Sequence, residues 1–209
     1  YFLSTFIFIT MHFYIFLFSG LRQAIAYSII WISLKYIKER KLLKFLALVL
    51  IATTFHKTAI IFLPVYFLSN KKLTHKYLII FLIVILMTFI FKLQIFNIIT
   101  KLVYGNYAAI QNGGGYKLLL LLIIIFVGSL YILYKKNNKE EQEQNNIWLN
   151  MLLIGILVQT LASIEGNIAR LTMYFEYSII FLIPNIIEEI DDKKIRIFLK
   201  CIVYILLTV

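Results

Sequence analysis

The stretch GLRQAIAYSIIWISLKYIKERKLLKFLALVLIATTFHKTAIIFLPVYFLS, residues 20–69, decides the fold. It is almost wholly apolar, yet it carries Arg22-Gln23 near one end and His56-Lys57 in its second half. Ionisable groups at membrane depth are costly, so each of these spots is a functional-site hypothesis. The charges of the loops elsewhere in the chain indicate the membrane topology, and therefore whether Arg22-Gln23 and His56-Lys57 lie on the same side.

The whole chain has the composition of a membrane protein. Of its 209 residues, 62% are hydrophobic, whereas soluble domains are about 45–50% apolar. The excess falls into runs long enough to span a bilayer, which predicts an all-α fold, a polytopic transmembrane helical bundle. Because the sequence begins at Tyr1 and the apolar run at 197–209 is too short to span, we expect a fragment of a longer protein, with a single transmembrane domain over residues 1–209.

The net charge of +11 does not indicate nucleic-acid binding, because the Lys and Arg residues stand in short loops between apolar runs. That distribution is typical of a membrane protein oriented by its positive loops. The single cysteine, Cys201, provides neither a disulfide framework nor a cysteine metal site. Since no zinc, nucleotide or nucleophile-elbow motif is present, the sequence predicts no metal and no cofactor.

The apolar runs predict the membrane spans. They cover residues 2–18, 21–37, 42–68 with an interruption at 55–57, 77–91, 118–134, 147–161, 171–187 and, incompletely, 197–209. Residues 92–116 form a predicted external loop, with an amphipathic helix in the outer interface and a glycine hinge at 113–115. This loop either covers a substrate or only anchors the protein. Residues 135–146 form a predicted cytoplasmic loop.

Loop charges fix the predicted topology. The loops at 35–44, 70–76, 135–139 and 193–200 hold 15 of the 21 Lys and Arg residues, which assigns them to the cytoplasm. Both ends of the 42–68 run then lie on one side, which a single helix cannot achieve. We therefore predict a broken-helix hairpin, 42–54 and 57–68, that turns at His56-Lys57. The alternative is one long tilted helix, which would invert every later loop and violate the charge rule.

Each predicted arm has about 12 residues and rises roughly 18 Å, against a hydrocarbon thickness of roughly 30 Å. The apex therefore lies past the midplane, toward the outer face. This topology brings polar residues from three separate parts of the chain to the extracytoplasmic face, namely Arg22, His56, Lys57, Glu165, Asn167 and Arg170.

Residues 22–23 and 56–57 provide groups that suit an anion. Arg22 opens a helix, where free N–H groups and a planar guanidinium match phosphate or carboxylate, and Gln23 beside it can donate and accept. Lys57 opens the second arm of the hairpin, where the same dipole argument applies. His56 can act as an acid, a base or a hydrogen-bond donor near neutral pH.

The third segment adds Arg170 and Tyr174, which are four residues apart on one helical face. Together the segments predict a phosphate or diphosphate site at the outer interface. Each residue also has a structural explanation: the arginines snorkel to headgroups, Lys57 and Tyr174 anchor the interface, and His56 joins two helices.

The residues resemble a known family. Arg22-Gln23-x-x-Ala26, a basic loop, and then residues 55–59 (FHKTA) closed by Leu63-Pro64 look like the EpsG family, Wzy-type polymerases of bacterial exopolysaccharide, capsule and O-antigen. Residues 170–175 (RLTMYF) resemble the Arg/Tyr-Phe element that this family carries near its C-terminus. Thr58 stands where the family usually has Ser, which keeps the hydroxyl. The family's acidic external loop near the N-terminus is absent from these residues, and with it a candidate catalytic acid or base.

The resemblance implies an enzyme, a membrane glycosyltransferase of GT-C-like architecture in the bacterial cytoplasmic (inner) membrane. It would join undecaprenyl-diphosphate-linked oligosaccharide repeat units on the extracytoplasmic face. By that analogy Arg22 and His56 are catalytic, Arg22 and Arg170 hold diphosphate oxygens, and Gln23, Lys57 and Tyr174 bind diphosphate or sugar. The implied partners are the lipid-linked oligosaccharide, the bilayer, and a flippase and chain-length regulator of the same pathway.

Two other functions stay open at this point. Broken helices also suit a flippase or transporter for a lipid-linked or anionic substrate. A histidine in the membrane would also suit a sugar O-acyltransferase, in which it would be the catalytic centre.

Overall fold

The computed structural model describes residues 2–11, 13–104, 114–136, 139–165 and 168–208. These residues form α-helices and the 3-10 helix Lys57–Phe62, and none of them lies in a strand, so the all-α prediction is confirmed. The α-helices are α1 (Phe2–Thr10), α2 (Phe13–Ser19), α3 (Leu21–Lys38), α4 (Leu42–Phe55), α5 (Leu63–Leu68), α6 (His75–Ile90), α7 (Lys92–Tyr104), α8 (Tyr116–Lys136), α9 (Lys139–Leu161), α10 (Ala169–Glu176), α11 (Ser178–Glu188) and α12 (Lys193–Thr208).

The chain doubles back around His56, as the loop charges predict. Helix α4 ends at Phe55, and His56 has an extended backbone with φ −146° and ψ 111°. The ring of Phe45, near the start of α4, then lies 5.1 Å from the ring of Tyr66 in α5. Residues 21 positions apart are adjacent in space only if the two arms run antiparallel.

The second arm differs from the predicted single helix, because its first half is the 3-10 helix and α5 begins only at Leu63. Pro64 explains the change, since proline has no N–H and fits only the first turn of an α-helix. The β-branched residues Thr58, Ile60 and Ile61 just before it also have lower helix propensity. The second arm is therefore a tighter turn followed by a short α-helix.

Two predicted spans are each divided in two. Residues 2–18 form α1 and α2, and residues 171–187 lie in α10 and α11, which meet at Tyr177. The four pieces have 7 to 11 residues, and helices of that length rise only about 10–17 Å. None of them alone matches a hydrocarbon core of roughly 30 Å.

Predicted loops also contain helix. Residues 92–104 of the external loop form α7, which meets α6 at 81°. The rest of that loop up to residue 113 lies outside the described residues. Helix α8 runs to Lys136 and α9 begins at Lys139, so the predicted cytoplasmic loop 135–146 is largely helical. Lys, Glu and Gln are good helix formers, and so the helices continue beyond their apolar parts.

Among the described residues one helix, Tyr116–Lys135, is long and apolar enough to cross a membrane on its own, and the bent pair α6–α7 gives a second if it is one span. The polytopic topology therefore stays a prediction. Large apolar side chains are nevertheless exposed on α6, such as Ile79, Ile80 and Ile83. A contiguous exposed apolar face is costly in water, and a lipid bilayer would solvate it.

The loops meet in two groups, at opposite ends of the bundle. The basic loops share one end, where Lys72 Nζ lies 3.0 Å from Glu143 Oε1 and Lys38 Nζ lies 5.3 Å from the centroid of the Trp148 ring. At the other end, Lys92 Nζ donates to Ser163 Oγ at 2.9 Å. This grouping agrees with the one that the loop charges indicate, whereas the membrane side of each end remains a prediction.

Asn150 fixes the returning arm of the hairpin at the basic end. Its Nδ2 donates to the carbonyl oxygens of Lys71 at 2.9 Å and Ser69 at 3.2 Å, just after α5. Its Oδ1 accepts from the Tyr77 hydroxyl at 2.8 Å. Asn150 is completely buried, so these bonds replace the water that its amide has lost.

Candidate functional site

Side-chain hydrogen bonds join the first two turns of α3 to the first turn of α10. Gln23 Nε2 donates to Tyr27 Oη at 2.7 Å and to the Arg170 carbonyl oxygen at 3.2 Å. The Tyr27 hydroxyl donates to the same carbonyl at 2.7 Å. We call Gln23, Tyr27 and the Arg170 carbonyl the α3–α10 bridge. It places the main chain of Arg170 beside α3. The contact is made by Gln23, the residue that follows Arg22.

The apex of the hairpin reaches the same place. His56 is half-buried in the connection between α4 and the 3-10 helix. The imidazole lies close enough to the Arg170 guanidinium for the two groups to interact electrostatically. Two residues later, the Thr58 hydroxyl faces the Tyr174 phenol, although neither oxygen forms a hydrogen bond of normal geometry within the described residues. The apex therefore contacts α10 over its first turn and a half.

The site has a cationic rim over a buried floor. The side chains of Arg22, Lys57 and Arg170 are exposed. Below them, the rings of Tyr27 and Tyr174 pack edge to face at 4.2 Å between centroids. Cations exposed at the same end of the bundle attract an anion with their combined charge.

Further down, α10 ends in a buried carboxyl group. Glu176 is 4% exposed, and its Oε1 forms no hydrogen bond within the described residues. The rings of Tyr27 and Trp31 pack on Tyr177 at 5.4 Å and 4.8 Å, which covers the floor from below. Its burial places this carboxyl group in the interior and not in the rim.

A second link joins Gly115, just before α8, to α10 through Gln159 of α9. Gln159 in α9 accepts a hydrogen bond from Thr172 Oγ1 at 2.8 Å and donates to the Gly115 carbonyl at 3.1 Å. Gly115 has φ +85°, and a Cβ there would lie 2.6 Å from Gln159 Nε2. The last glycine of the predicted hinge is thus held in one conformation that other residues rarely adopt.

The structure brings together Gln23, His56, Arg170 and Tyr174 at one end of the bundle. It places the main chains of Arg22 and Lys57 beside this group by chain adjacency, with both side chains exposed. Glu165 is buried in the turn before α10, and Asn167 lies outside the described residues. The functional roles predicted for these residues remain proposals.

Tyr27 and Gln159 were missed by the sequence interpretation. Tyr27 stands four residues after Gln23, and such a pair shares one helical face, so the spacing did contain a signal. The sequence contains no such signal for Gln159, because its partners Thr172 and Gly115 come from two distant parts of the chain.

Elsewhere, the described residues offer no cluster of metal ligands, and they enclose a cavity at the basic end. They contain no group of three or more His, Cys, Asp or Glu side chains that could hold a metal ion. A cavity of about 340 Å³ opens at the basic end, among residues that include Lys72, His75 and Asn146. Its lysine is already paired with Glu143, so the cavity has little free positive charge to offer an anion.

Comparison with known proteins places the chain in a family. No curated protein and no solved structure is detectably similar to it. The model of the EpsG family matches residues 1–209, the whole chain, which confirms the resemblance seen at residues 22–26, 55–64 and 170–175. This protein therefore belongs to the EpsG family, and so to the membrane proteins of polysaccharide biosynthesis.

Proposed function

We propose that this protein is a polysaccharide polymerase. It joins undecaprenyl-diphosphate-linked oligosaccharide repeat units on the extracytoplasmic face of the bacterial cytoplasmic membrane, and it crosses that membrane several times. The observation that carries the proposal is the meeting of Gln23, His56 and Arg170, from three distant segments, under one cationic rim. Membership of the EpsG family supports the same reaction class.

A lipid diphosphate suits this arrangement in both of its parts. Its phosphates carry negative charge, which the guanidinium groups of Arg22 and Arg170 can bind through paired N–H donors. Its hydrocarbon tail requires an apolar surface beside the rim, and the exposed apolar helices provide one. A soluble sugar nucleotide has no hydrocarbon tail and would not contact this apolar surface.

The reaction transfers a glycan from one carrier to another. A hydroxyl oxygen of the acceptor sugar attacks the anomeric carbon of the donor glycan and forms the new glycosidic bond. The bond from that carbon to the phosphate oxygen breaks, and undecaprenyl diphosphate leaves with the electron pair. The proton of the acceptor hydroxyl passes to a base.

The residues at the site divide these tasks. Arg22 and Arg170 stabilise the charge that grows on the departing diphosphate, and stabilisation of such charge usually contributes most to the rate enhancement. His56 would act as the base, since a neutral imidazole can accept the proton of the acceptor hydroxyl. Lys57 adds charge to the rim, and the buried ring of Tyr174 forms part of the floor beneath it.

One other function has an observation in its favour. The helix breaks at His56 and Tyr177 and the 81° bend between α6 and α7 also suit a flippase, because transporters use broken helices around their substrate. The two functions predict different positions for the unused substrate. A polymerase works after the lipid-linked unit has crossed the membrane, and a flippase works before.

Deleting the gene in its host tests this difference. We expect long polymer to disappear, and single lipid-linked repeat units to accumulate where a membrane-impermeant glycosidase or amine label reaches them in intact cells. A plasmid copy of the intact gene is the control and should restore the polymer. Units that become accessible only after lysis would favour the flippase. Full-length polymer that lacks acetyl groups would indicate the O-acyltransferase.

A further inference from the structure

We propose that Gln23 and Tyr27 are positioning residues, which hold the Arg170 side chain at the diphosphate and do not touch the substrate themselves. This inference rests on the proposed function, because it takes Arg170 as a diphosphate ligand. It gives Gln23 a different role from the substrate contact that the sequence alone suggests, and it assigns a role to Tyr27.

The polar groups of the two side chains are already engaged. Gln23 is 4% exposed and Tyr27 is 2% exposed. The amide nitrogen of Gln23 donates to Tyr27 and to the Arg170 carbonyl, which uses both of its N–H groups. The single hydroxyl proton of Tyr27 goes to that same carbonyl. Neither residue has a donor left for a phosphate oxygen.

Arg170 needs such support because its helix is weak on its own. Helix α10 has eight residues, begins at Ala169 and has no side-chain cap at its N-terminus. Isolated helices of that length are not stable, since few bonds repay the cost of nucleation. A long arginine side chain on a fraying first turn would sample many positions. Two hydrogen bonds to the Arg170 carbonyl fix the backbone from which the guanidinium extends.

Tyr27 is suited to this role because its ring cannot move freely. It packs against Tyr174 at 4.2 Å and against Tyr177 at 5.4 Å between ring centroids, both on the chain segment that follows Arg170. The hydroxyl therefore has a fixed direction toward the carbonyl. Phenylalanine would keep the ring contacts and lose only the hydroxyl, so Tyr27→Phe removes the bonds of Tyr27 to Gln23 and to the Arg170 carbonyl with little change in packing. The bond from Gln23 to that carbonyl would remain.

A double-mutant cycle tests the inference, with the purified protein in nanodiscs and undecaprenyl diphosphate as the probe. Arg170→Ala should raise the dissociation constant about 10- to 100-fold, as expected when a hydrogen bond to a charged group is lost. Tyr27→Phe should raise it about 3- to 10-fold. Arg170→Ala keeps its carbonyl, so the bridge still forms. In that background Tyr27→Phe should change the constant less than about twofold, because the guanidinium it positions is gone.

Tyr36→Phe is the matched control, because it removes a hydroxyl from the same helix, nine residues further on. It should leave the dissociation constant unchanged, and size-exclusion chromatography should show all variants equally folded. A normal constant for Tyr27→Phe overturns the inference alone. So does an equal loss from Tyr27→Phe in both backgrounds, which would mean direct contact or general destabilisation. A normal constant for Arg170→Ala overturns the proposed function as well.

Discussion

Arg170→Ala is expected to abolish long polymer in cells, while lipid-linked single repeat units accumulate. The same result is expected for Arg22→Ala, because both exposed guanidinium groups open helices at one end of the bundle. Removing one such charge-stabilising donor typically costs a factor of about 10² to 10³ in rate. Gel analysis of the surface glycan, with immunoblotting of the protein, measures the effect.

Lys71→Ala is the control for this pair, since it removes an exposed cation from the basic end of the bundle. Polymer length should then be unaffected. Wild-type polymer from either arginine variant, at wild-type protein level, would remove that arginine from the site.

The second large effect is expected from Asn150→Leu, and it concerns stability. The variant loses hydrogen bonds to Tyr77, Ser69, Lys71 and Asn146, and it leaves three main-chain carbonyls with one partner fewer. At about 1 kcal/mol for each bond, with a further penalty for buried unpaired groups, the loss is about 3–5 kcal/mol. The second arm of the hairpin would detach from α9, and His56 would lose its position beside Arg170.

Denaturant titration in detergent micelles measures this free energy of unfolding. Asn185→Leu serves as control, because Asn185 is exposed and its amide has a single side-chain bond, to Asn145. It should cost less than about 1 kcal/mol. Equal values for the two variants would show that Asn150 does not anchor the hairpin.

The positions of Lys and Arg in the loops predicted the helical hairpin at residues 42–68. Lys and Arg residues around 35–44 and 70–76 required both ends of 42–68 to lie together, and the antiparallel packing of Phe45 on Tyr66 agrees with this. The rule works because the orientation of a membrane protein depends on the positions of its charges. The same rule brought Arg22, His56 and Arg170 to one end.

Helix breaks inside apolar runs could not be predicted in the same way. Residues 171–187 read as one span, yet the helix breaks at Tyr177, where Glu176 and Ser178 also turn into the interior. Hydropathy responds to apolar content and not to which neighbour supplies a polar partner. The 3-10 turn before Pro64 was open to prediction, since proline marks where a new helix begins.

The α3–α10 bridge shows which part of the site could not be predicted from the sequence. The pair Gln23 and Tyr27 can be recognised from its four-residue spacing. Its partner is a main-chain carbonyl at Arg170, 143 residues after Tyr27. Every residue has a main-chain carbonyl, so the sequence cannot show which carbonyl accepts a side-chain hydrogen bond. Only the folded structure reveals that Arg170 is held through its backbone.

The most direct measurement is a reaction with purified components. The protein is reconstituted into liposomes that contain undecaprenyl-diphosphate-linked repeat units and no other protein. We predict a ladder of glycans and the release of undecaprenyl diphosphate, both lost in the Arg170→Ala variant. A preparation of folded protein that forms no ladder, but moves the lipid-linked units across the bilayer, would contradict the account.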